Sequence, residues 1–139
     1  MKIVHSKSAS DTPAFALIAE GWNELVQTGM TPDGRGDSPV TWKNEVLFAV
    51  RDDGEIVGVL CYEHQEPVNA FEVTLAYVEP TSRKQGVYSE LYAALCARAK
   101  ERAVIRIGVT ANADNRAMLE VLAKLNSRLV SFSYETLLD

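Results

Sequence analysis

The chain has 139 residues, of which 47% are hydrophobic and 24% are charged, as expected of one soluble globular domain. Its formal net charge of -5 argues against nucleic-acid binding, because nucleic-acid-binding proteins usually carry an excess of positive charge. No apolar run approaches the roughly 18 residues that a membrane-spanning helix needs, and residues 1–10 lack the apolar core of a signal peptide. We therefore expect a cytoplasmic protein that does not interact with membranes.

The first predicted element is a helix within residues 5–29, where apolar residues recur at helical spacing. Asp11 or Thr12 can cap its start, and Gly29 follows its end. The next residues, 30–42, are rich in Pro, Gly, Asp and Ser, which is typical of a loop. A short second helix could start within this loop or just after it.

Three strands are predicted next. Residues 45–51 and 55–65 flank the turn sequence Asp-Asp-Gly and so favour a β-hairpin. A third strand at 69–79 is stopped by Pro80. The two cysteines of the chain are far apart and lack metal-site spacing, so we expect free thiols and no bound metal.

The second half of the chain alternates between helices and strands. A helix is predicted at 87–101, a strand at 103–110, a helix at 112–125 and a closing strand or strand pair at 128–138. This order predicts an α/β (α+β) fold with helices on both faces of one sheet.

The loop that precedes the helix at 87–101 carries a basic, glycine-containing sequence, Ser-Arg-Lys-Gln-Gly. A helix start exposes unpaired N–H groups and the positive end of the helix dipole. Gly86 would let a ligand approach the backbone closely, and Arg83 and Lys84 add positive charge. The loop can therefore hold a pyrophosphate, although a plain loop with solvated charges has the same composition.

The run YVEPTSRKQGVYSELYAAL resembles the acetyl-CoA-binding motif of the GNAT superfamily of N-acyltransferases. In that motif a strand ends in a valine–x–proline-like turn, and Arg/Gln-x-x-Gly-x-Gly/Ala then opens a helix. Arg83, Gly86 and Val87 match this pattern. Tyr88 departs from it, because it stands where the family has Gly or Ala. Near a pyrophosphate, this side chain could narrow the site, rotate outward or donate a hydrogen bond.

A second run, VTANADNRAMLEVLAKLNS, resembles the next cofactor segment of the same family. Asn115 matches the asparagine that contacts the cofactor. Leu122 stands where the family usually has a tyrosine that protonates the departing thiolate, and Asn126 and Ser127 replace Gly-Phe. The order of the elements fits the family from end to end, so we expect one GNAT domain over residues 1–139.

The resemblance implies a central mixed, mostly antiparallel twisted sheet and acetyl-CoA as the cofactor. The pantetheine arm would pair with the backbone of Ala76, Tyr77 and Val78 in the manner of an added strand. The pyrophosphate would bind beside Arg83 or Lys84. Its ligands would be the N–H groups of Gln85, Gly86, Val87, Tyr88 and Ser89.

The implied reaction is the attack of an amine on the thioester. A free amine with a pKa of about 10 is almost fully protonated at neutral pH, so a base must take its proton. Glu72 is the best candidate, because it interrupts an apolar strand where several family members carry a glutamate base; a solvent-facing strand residue would look the same. Leu122 cannot supply a proton, so either the thiolate leaves without a general acid or another hydroxyl replaces it. Tyr88, Tyr92 and Tyr134 are the candidates, although such tyrosines are more often packing residues.

We therefore expect an N-acetyltransferase that uses acetyl-CoA and acts on a primary amine of a small molecule or protein, as a monomer or homodimer. The alternative is a GNAT-fold binding or regulatory protein with little or no turnover, which Tyr88 and Leu122 both favour. Transfer of a longer acyl group is a third, weaker option.

Overall fold

The computed structural model describes residues 1–31, 38, 40–125, 128 and 138. Its elements are β1 (Lys2–Ser6), α1 (Phe15–Thr28), β2 (Glu45–Val50), β3 (Ile56–Gln65), β4 (Ala70–Val78), α2 (Val87–Glu101), β5 (Arg106–Val109) and α3 (Arg116–Lys124), with single 3-10 turns at Glu66–Val68 and Pro80–Ser82. Most of the predicted loop at 30–42 and of the closing strand predicted at 128–138 lies outside the described residues, as do Asn126, Ser127 and Tyr134. Within the described part, no helix is both long enough and apolar enough to cross a membrane.

The five described strands form one sheet in the order β1-β2-β3-β4-β5. The first four strands are antiparallel to their neighbours, and β5 runs parallel to β4. A parallel pair needs a crossover connection, which α2 provides. The predicted fold class, a mixed and mostly antiparallel sheet flanked by helices, is confirmed.

Two apolar cores lie on opposite faces of the sheet. On one face, Val87, Leu91 and Leu95 of α2 are buried against strand residues that include Tyr62 and Phe71. The other face packs against α1 and contains Leu17, Ile18, Val46, Phe48, Val59, Cys61 and Leu75. Both faces of the central strands are therefore buried, so these strands have long apolar runs.

A β-bulge changes the side-chain alternation in the middle of β4. Cys61 pairs with Leu75 and Tyr62 pairs with Val73, which leaves Thr74 as the extra residue. Val73 consequently packs in the α2-side core, whereas Leu75, two residues later, packs in the α1-side core. The bulge thus reverses the direction of every later side chain of β4.

A buried asparagine holds this bulge. The Thr74 hydroxyl donates to Oδ1 of Asn44 and also contacts the carbonyl of Cys61. Asn44 is fully buried, and its Nδ2 donates to Oγ1 of Thr41 at 3.4 Å. A buried amide needs such partners, because an unsatisfied polar group destabilises the fold.

The N-terminal prediction was wrong in two respects. Residues 2–6 form an edge strand, because β2 supplies their hydrogen-bond partners. Their short sequence of mixed polarity does not show this pairing. Helix α1 begins at Phe15 after Ala14, with no side-chain cap; Oγ1 of Thr12 instead accepts a hydrogen bond from the Ala14 N–H at 3.2 Å. The predicted end is confirmed, because Gly29 ends the helix in the left-handed conformation with a φ of 71°.

Candidate active site

Strands β4 and β5 part halfway along β4, where β5 ends at Val109 and a cavity separates the residues after it from β4. Their pairing covers Ala70–Val73 and Arg106–Val109 only, while β4 remains paired with β3 as far as Val78. The β5-facing edge of β4 from Thr74 onward therefore has no strand partner among the described residues. An open strand edge offers N–H and C=O groups to an extended ligand. Two of the predicted residues on this edge are Ala76 and Tyr77.

The third predicted backbone residue, Val78, already has a partner. Nε of Arg83 donates to the Val78 carbonyl at 2.9 Å, and Nη2 of Arg83 lies 2.8 Å from Oε2 of Glu24 on α1. The guanidinium also lies over the ring of Tyr77, with its carbon 5.4 Å from the ring centroid. Arg83 thus joins the loop to β4 and α1, whereas Lys84 is exposed and forms no ion pair with any described residue.

A narrow cavity fills the gap between the two strands. Its volume is about 50 Å³. The lining comes from both strands, the end of α1 and the start of α3: Leu25, Met30, Val73, Thr74, Leu75, Ala76, Val109, Thr110, Ala111, Asn112, Asn115 and Met118. Such a slot suits a slender, extended group better than a bulky ring.

The basic loop ends at an uncapped helix start. Gly86 is the N-cap of α2, makes no side-chain cap and has a φ of 81°, and Lys84 has a φ of 63°. A Cβ at Gly86 would meet no atom within 4 Å, so the left-handed backbone, rather than crowding, favours glycine here. The N–H groups of Val87, Tyr88 and Ser89 in the first turn of α2 have no carbonyl four residues earlier within the helix. The helix start therefore has N–H donors without helical partners next to the open space at Gly86.

A buried polar cluster that the sequence analysis did not predict lies directly before this loop. Ser82 is fully buried; its hydroxyl donates to Oε1 of Glu79 at 2.7 Å and accepts from Nη2 of Arg51. Hydrogen bonds from Ser82 and Thr81 lower the pKa of Glu79. The only sequence signal for this contact is the serine three residues after Glu79.

Tyr88 lies in the first turn of α2 and is largely buried. Its hydroxyl has no hydrogen-bond partner within the described part of the chain, and its ring stacks on Tyr92 with centroids 6.2 Å apart. Burial raises the pKa of the Tyr88 phenol well above its usual range, and Tyr92 contributes in the same direction. The hydroxyl is thus turned away from solvent and accepts or donates no hydrogen bond among the described residues, which is unusual for a buried polar group.

Glu72 lies on β4 with its side chain 33% exposed. Its neighbours Phe71 and Val73 pack in the α2-side core, so Glu72 points to the opposite face of the sheet. Its register partner on β5 is Gly108, and a Cβ on Gly108 would lie only 2.7 Å from Cδ of Glu72. Nη1 of Arg106 is 3.9 Å from Oε1 of Glu72, a long and exposed ion pair.

Asn115 caps α3 and lines the cavity. Its Oδ1 accepts a hydrogen bond from the Met118 N–H at 3.2 Å, and its Nδ2 bonds to no described residue. The sequence analysis missed Asn112, whose Nδ2 donates to the Thr31 carbonyl at 2.9 Å and lies 3.4 Å from that of Gly29. The loop between β5 and α3 is thereby fixed to the end of α1.

These observations define a class of fold: a mixed sheet in which two parallel strands diverge beside the uncapped start of a crossover helix. The comparison with family models then names the family. The model of the Acetyltransferase (GNAT) family matches residues 15–126, so the chain belongs to that family, whose members are acyltransferases. The resemblance read from the two cofactor motifs is confirmed.

Solved structures support the same fold. A ribosomal-protein-alanine N-acetyltransferase from Brucella melitensis biovar Abortus 2308 is 21% identical, with a TM-score of 0.70 and coverage of 100% of both chains. The BH1408 protein of Bacillus halodurans, solved as a tetramutant, is 16% identical over 99% of this chain and 100% of its own, with a TM-score of 0.75. An aminoglycoside acetyltransferase from a soil metagenome, in complex with sisomicin, is 18% identical over 98% of this chain and 95% of its own, with a TM-score of 0.72. No curated protein matches the sequence.

Proposed function

We propose that this protein is an N-acetyltransferase that moves an acetyl group from acetyl-CoA to a primary amine of a small molecule or protein. The observation that carries the proposal is the parting of β4 and β5 after Val73 and Val109 in a chain of the GNAT family. In the reaction, the amine nitrogen forms a bond to the thioester carbonyl carbon and the carbon–sulfur bond breaks. The amine loses a proton, and the coenzyme leaves as a thiolate.

The open edge of β4 would bind the pantetheine arm of the coenzyme. No described strand pairs with Ala76 or Tyr77 on this edge, whereas the Val78 carbonyl bonds to Arg83. We therefore infer that Arg83 shapes the loop, and that Lys84 is the basic side chain available to the pyrophosphate. The N–H groups at the start of α2 would bind the phosphate oxygens, as helix starts do for other anions.

Glu72 would accept the proton of the attacking amine. Its carboxylate is partly exposed, faces the α1 side of the sheet and lies beside the point where the strands part. Leu25 and Met30, which lie on the α1 side, also line the slot. A base at this position can deprotonate an amine that enters from that side.

Tyr88 would supply a hydrogen bond to the bound coenzyme or its leaving thiolate. The raised pKa keeps its phenol protonated at physiological pH, so it can donate. Its hydroxyl lacks a protein partner within the described residues, and Leu122 occupies the family position of the acid. A bound acyl-CoA would give this donor an acceptor.

The test begins with calorimetric titration of acetyl-CoA, CoA and 3'-dephospho-CoA into the protein and its Gly86→Glu variant. We expect micromolar binding to the wild type and a loss of about ten-fold or more in the variant, because a carboxylate at the helix start repels the pyrophosphate. Gly54→Glu is the matched control, since Gly54 also has a positive φ (90°) and open space around it but lies in the β2–β3 turn. Equal affinities for Gly86→Glu and Gly54→Glu would remove the loop from the binding site.

A GNAT-fold binding protein without turnover is the second candidate, favoured by Leu122 in place of the family acid. The two candidates differ in one product. An acetyltransferase releases free CoA thiol when a set of amines is added with acetyl-CoA, whereas a binding protein retains the cofactor and releases none.

A further inference from the structure

The backbone conformation at position 108 does not require a glycine. Gly108 lies inside β5 and is absent from the positive-φ glycines of the described chain, which are Gly29, Gly54 and Gly86. Glycine inside a strand weakens it, because it has no side chain to pack and loses more entropy on folding. Its presence here therefore indicates a close approach by another group.

The group that approaches Gly108 is the carboxylate of Glu72. A Cβ built on Gly108 would overlap both carboxylate oxygens, lying 2.5 Å from Oε1 and closer still to Oε2. Real Cβ atoms essentially never come within 3.0 Å of such atoms, so an alanine here must displace the carboxylate. The space above the Gly108 Cα is the space that Glu72 occupies.

We propose that Gly108 is a positioning residue for Glu72. Its missing side chain lets the carboxylate extend from β4 across β5, one residue pair before the pairing of the two strands ends. The proposal rests on the proposed role of Glu72 as the general base. The carboxylate lies one register step before the final β4–β5 pair, Val73 with Val109, and both of these residues line the slot.

Other charged groups beside Glu72 do not explain the glycine. Arg106 Nη1 is 3.9 Å from Oε1 and its side chain is 55% exposed, so this ion pair contributes little. Glu63 on β3 is the cross-strand neighbour of Glu72, and its negative charge repels the Glu72 carboxylate. Neither group needs a missing Cβ on β5, whereas the position of the Glu72 carboxylate does.

Gly108→Ala tests the proposal without threatening the fold. The clashing atoms are the end of a flexible side chain, so Glu72 can swing aside and the strand gains a better β-former. We expect the melting temperature and the Kd for acetyl-CoA to stay near the wild-type values. We expect kcat to fall by about ten-fold, because a displacement of about 1 Å at a reacting group is costly.

Two further variants make the result specific. In a Glu72→Gln background, Gly108→Ala should lower kcat no further, since no base remains to be displaced. Arg106→Gln removes the ion pair but leaves the space above Gly108, so its kcat should match the wild type. In the ligand-free protein, the ¹³Cδ NMR signal of Glu72 should move in Gly108→Ala and much less in Arg106→Gln.

The outcomes separate the two proposals. A slow Glu72→Gln variant combined with a Gly108→Ala variant of normal kcat would overturn the positioning role and leave the base in place. A Glu72→Gln variant of normal kcat, or a wild-type protein that transfers no acetyl group, would overturn the proposed base and the role of Gly108 with it.

Discussion

The hydroxyl of Tyr88 is a buried donor without an acceptor among the residues that the structure describes. Leaving such a group unsatisfied costs about 1–3 kcal/mol. Ring stacking on Tyr92 and burial of the aromatic surface offset part of this cost. A net loss of stability at this hydroxyl in the ligand-free protein is what the proposed donor role of Tyr88 would explain.

Tyr88→Phe should separate stability from activity. We expect an unchanged or slightly higher melting temperature, because the variant removes only the unsatisfied hydroxyl. We expect slower CoA release, because the proposed donor is lost. Thermal unfolding and a thiol-release assay measure the two quantities, and Tyr92→Phe is the control on the same helix. Equal turnover by Tyr88→Phe and the wild type would exclude the hydroxyl from the reaction.

At the scale of elements, the β-bulge at Thr74 decides the shape of β4. Before the bulge β4 pairs with β5, and after it no strand among the described residues pairs with β4 on that side. The bond from Thr74 to the buried Asn44 joins this point to the segment that leads into β2. The place where the slot opens therefore depends on a side-chain contact between residues far apart in sequence.

Thr74→Val tests this contact, because valine has nearly the same shape but no hydroxyl. We expect a loss of about 1–3 kcal/mol in the free energy of unfolding, since Oδ1 of buried Asn44 loses its donor. We also expect weaker acetyl-CoA binding. Urea unfolding and calorimetry measure both effects. Thr110→Val is the control, because Thr110 is exposed and lines the same cavity; similar losses in both variants would argue against a special role for the bulge.

The sequence predicted those elements whose signals are local. Helix α2 was predicted with its observed bounds, because its apolar spacing is strong and Gly86 precedes it directly. The β2–β3 hairpin followed from its Asp-Gly turn. The bulge at Thr74 and the close approach of the Glu72 carboxylate to Gly108 could not be predicted, because both depend on contacts between separate elements. Which of the predicted site residues touch a cofactor stays a prediction.

At the scale of the whole molecule, one carboxylate joins three strands and a helix. Glu45 at the start of β2 accepts hydrogen bonds from His5 of β1 (2.8 Å), Tyr62 of β3 (3.2 Å) and, at the end of α2, Arg98 (3.0 Å) and Arg102 (2.7 Å). Burial alone would raise the pKa of Glu45, but the hydrogen bonds from Arg102 and His5 outweigh it and lower the pKa to about 2.

This network predicts how the fold responds to acid. A carboxylate whose pKa is lower in the folded than in the unfolded state stabilises the fold fully above its unfolded pKa, near 4.5, and loses that contribution as the pH falls toward 2. The contribution is at most about 3 kcal/mol. Urea unfolding at several pH values should show a smaller loss of stability between pH 5 and pH 2.5 in Glu45→Gln than in the wild type. Parallel curves for the two proteins would show that Glu45 is not responsible.

The end of α1 contacts both walls of the slot. Glu24 bonds to Arg83 on the side of β4 and α2, and the carbonyls of Gly29 and Thr31 accept from Asn112 on the side of β5 and α3. Arg83 in turn bonds to β4, and Asn112 lines the slot, so the end of α1 connects the segments on both sides of the slot before any ligand arrives. The protein then loses little conformational entropy on binding, so most of the ordering cost falls on the flexible ligand. Binding should therefore proceed with rate constants that reflect diffusion and ligand shape rather than a slow opening of the sheet.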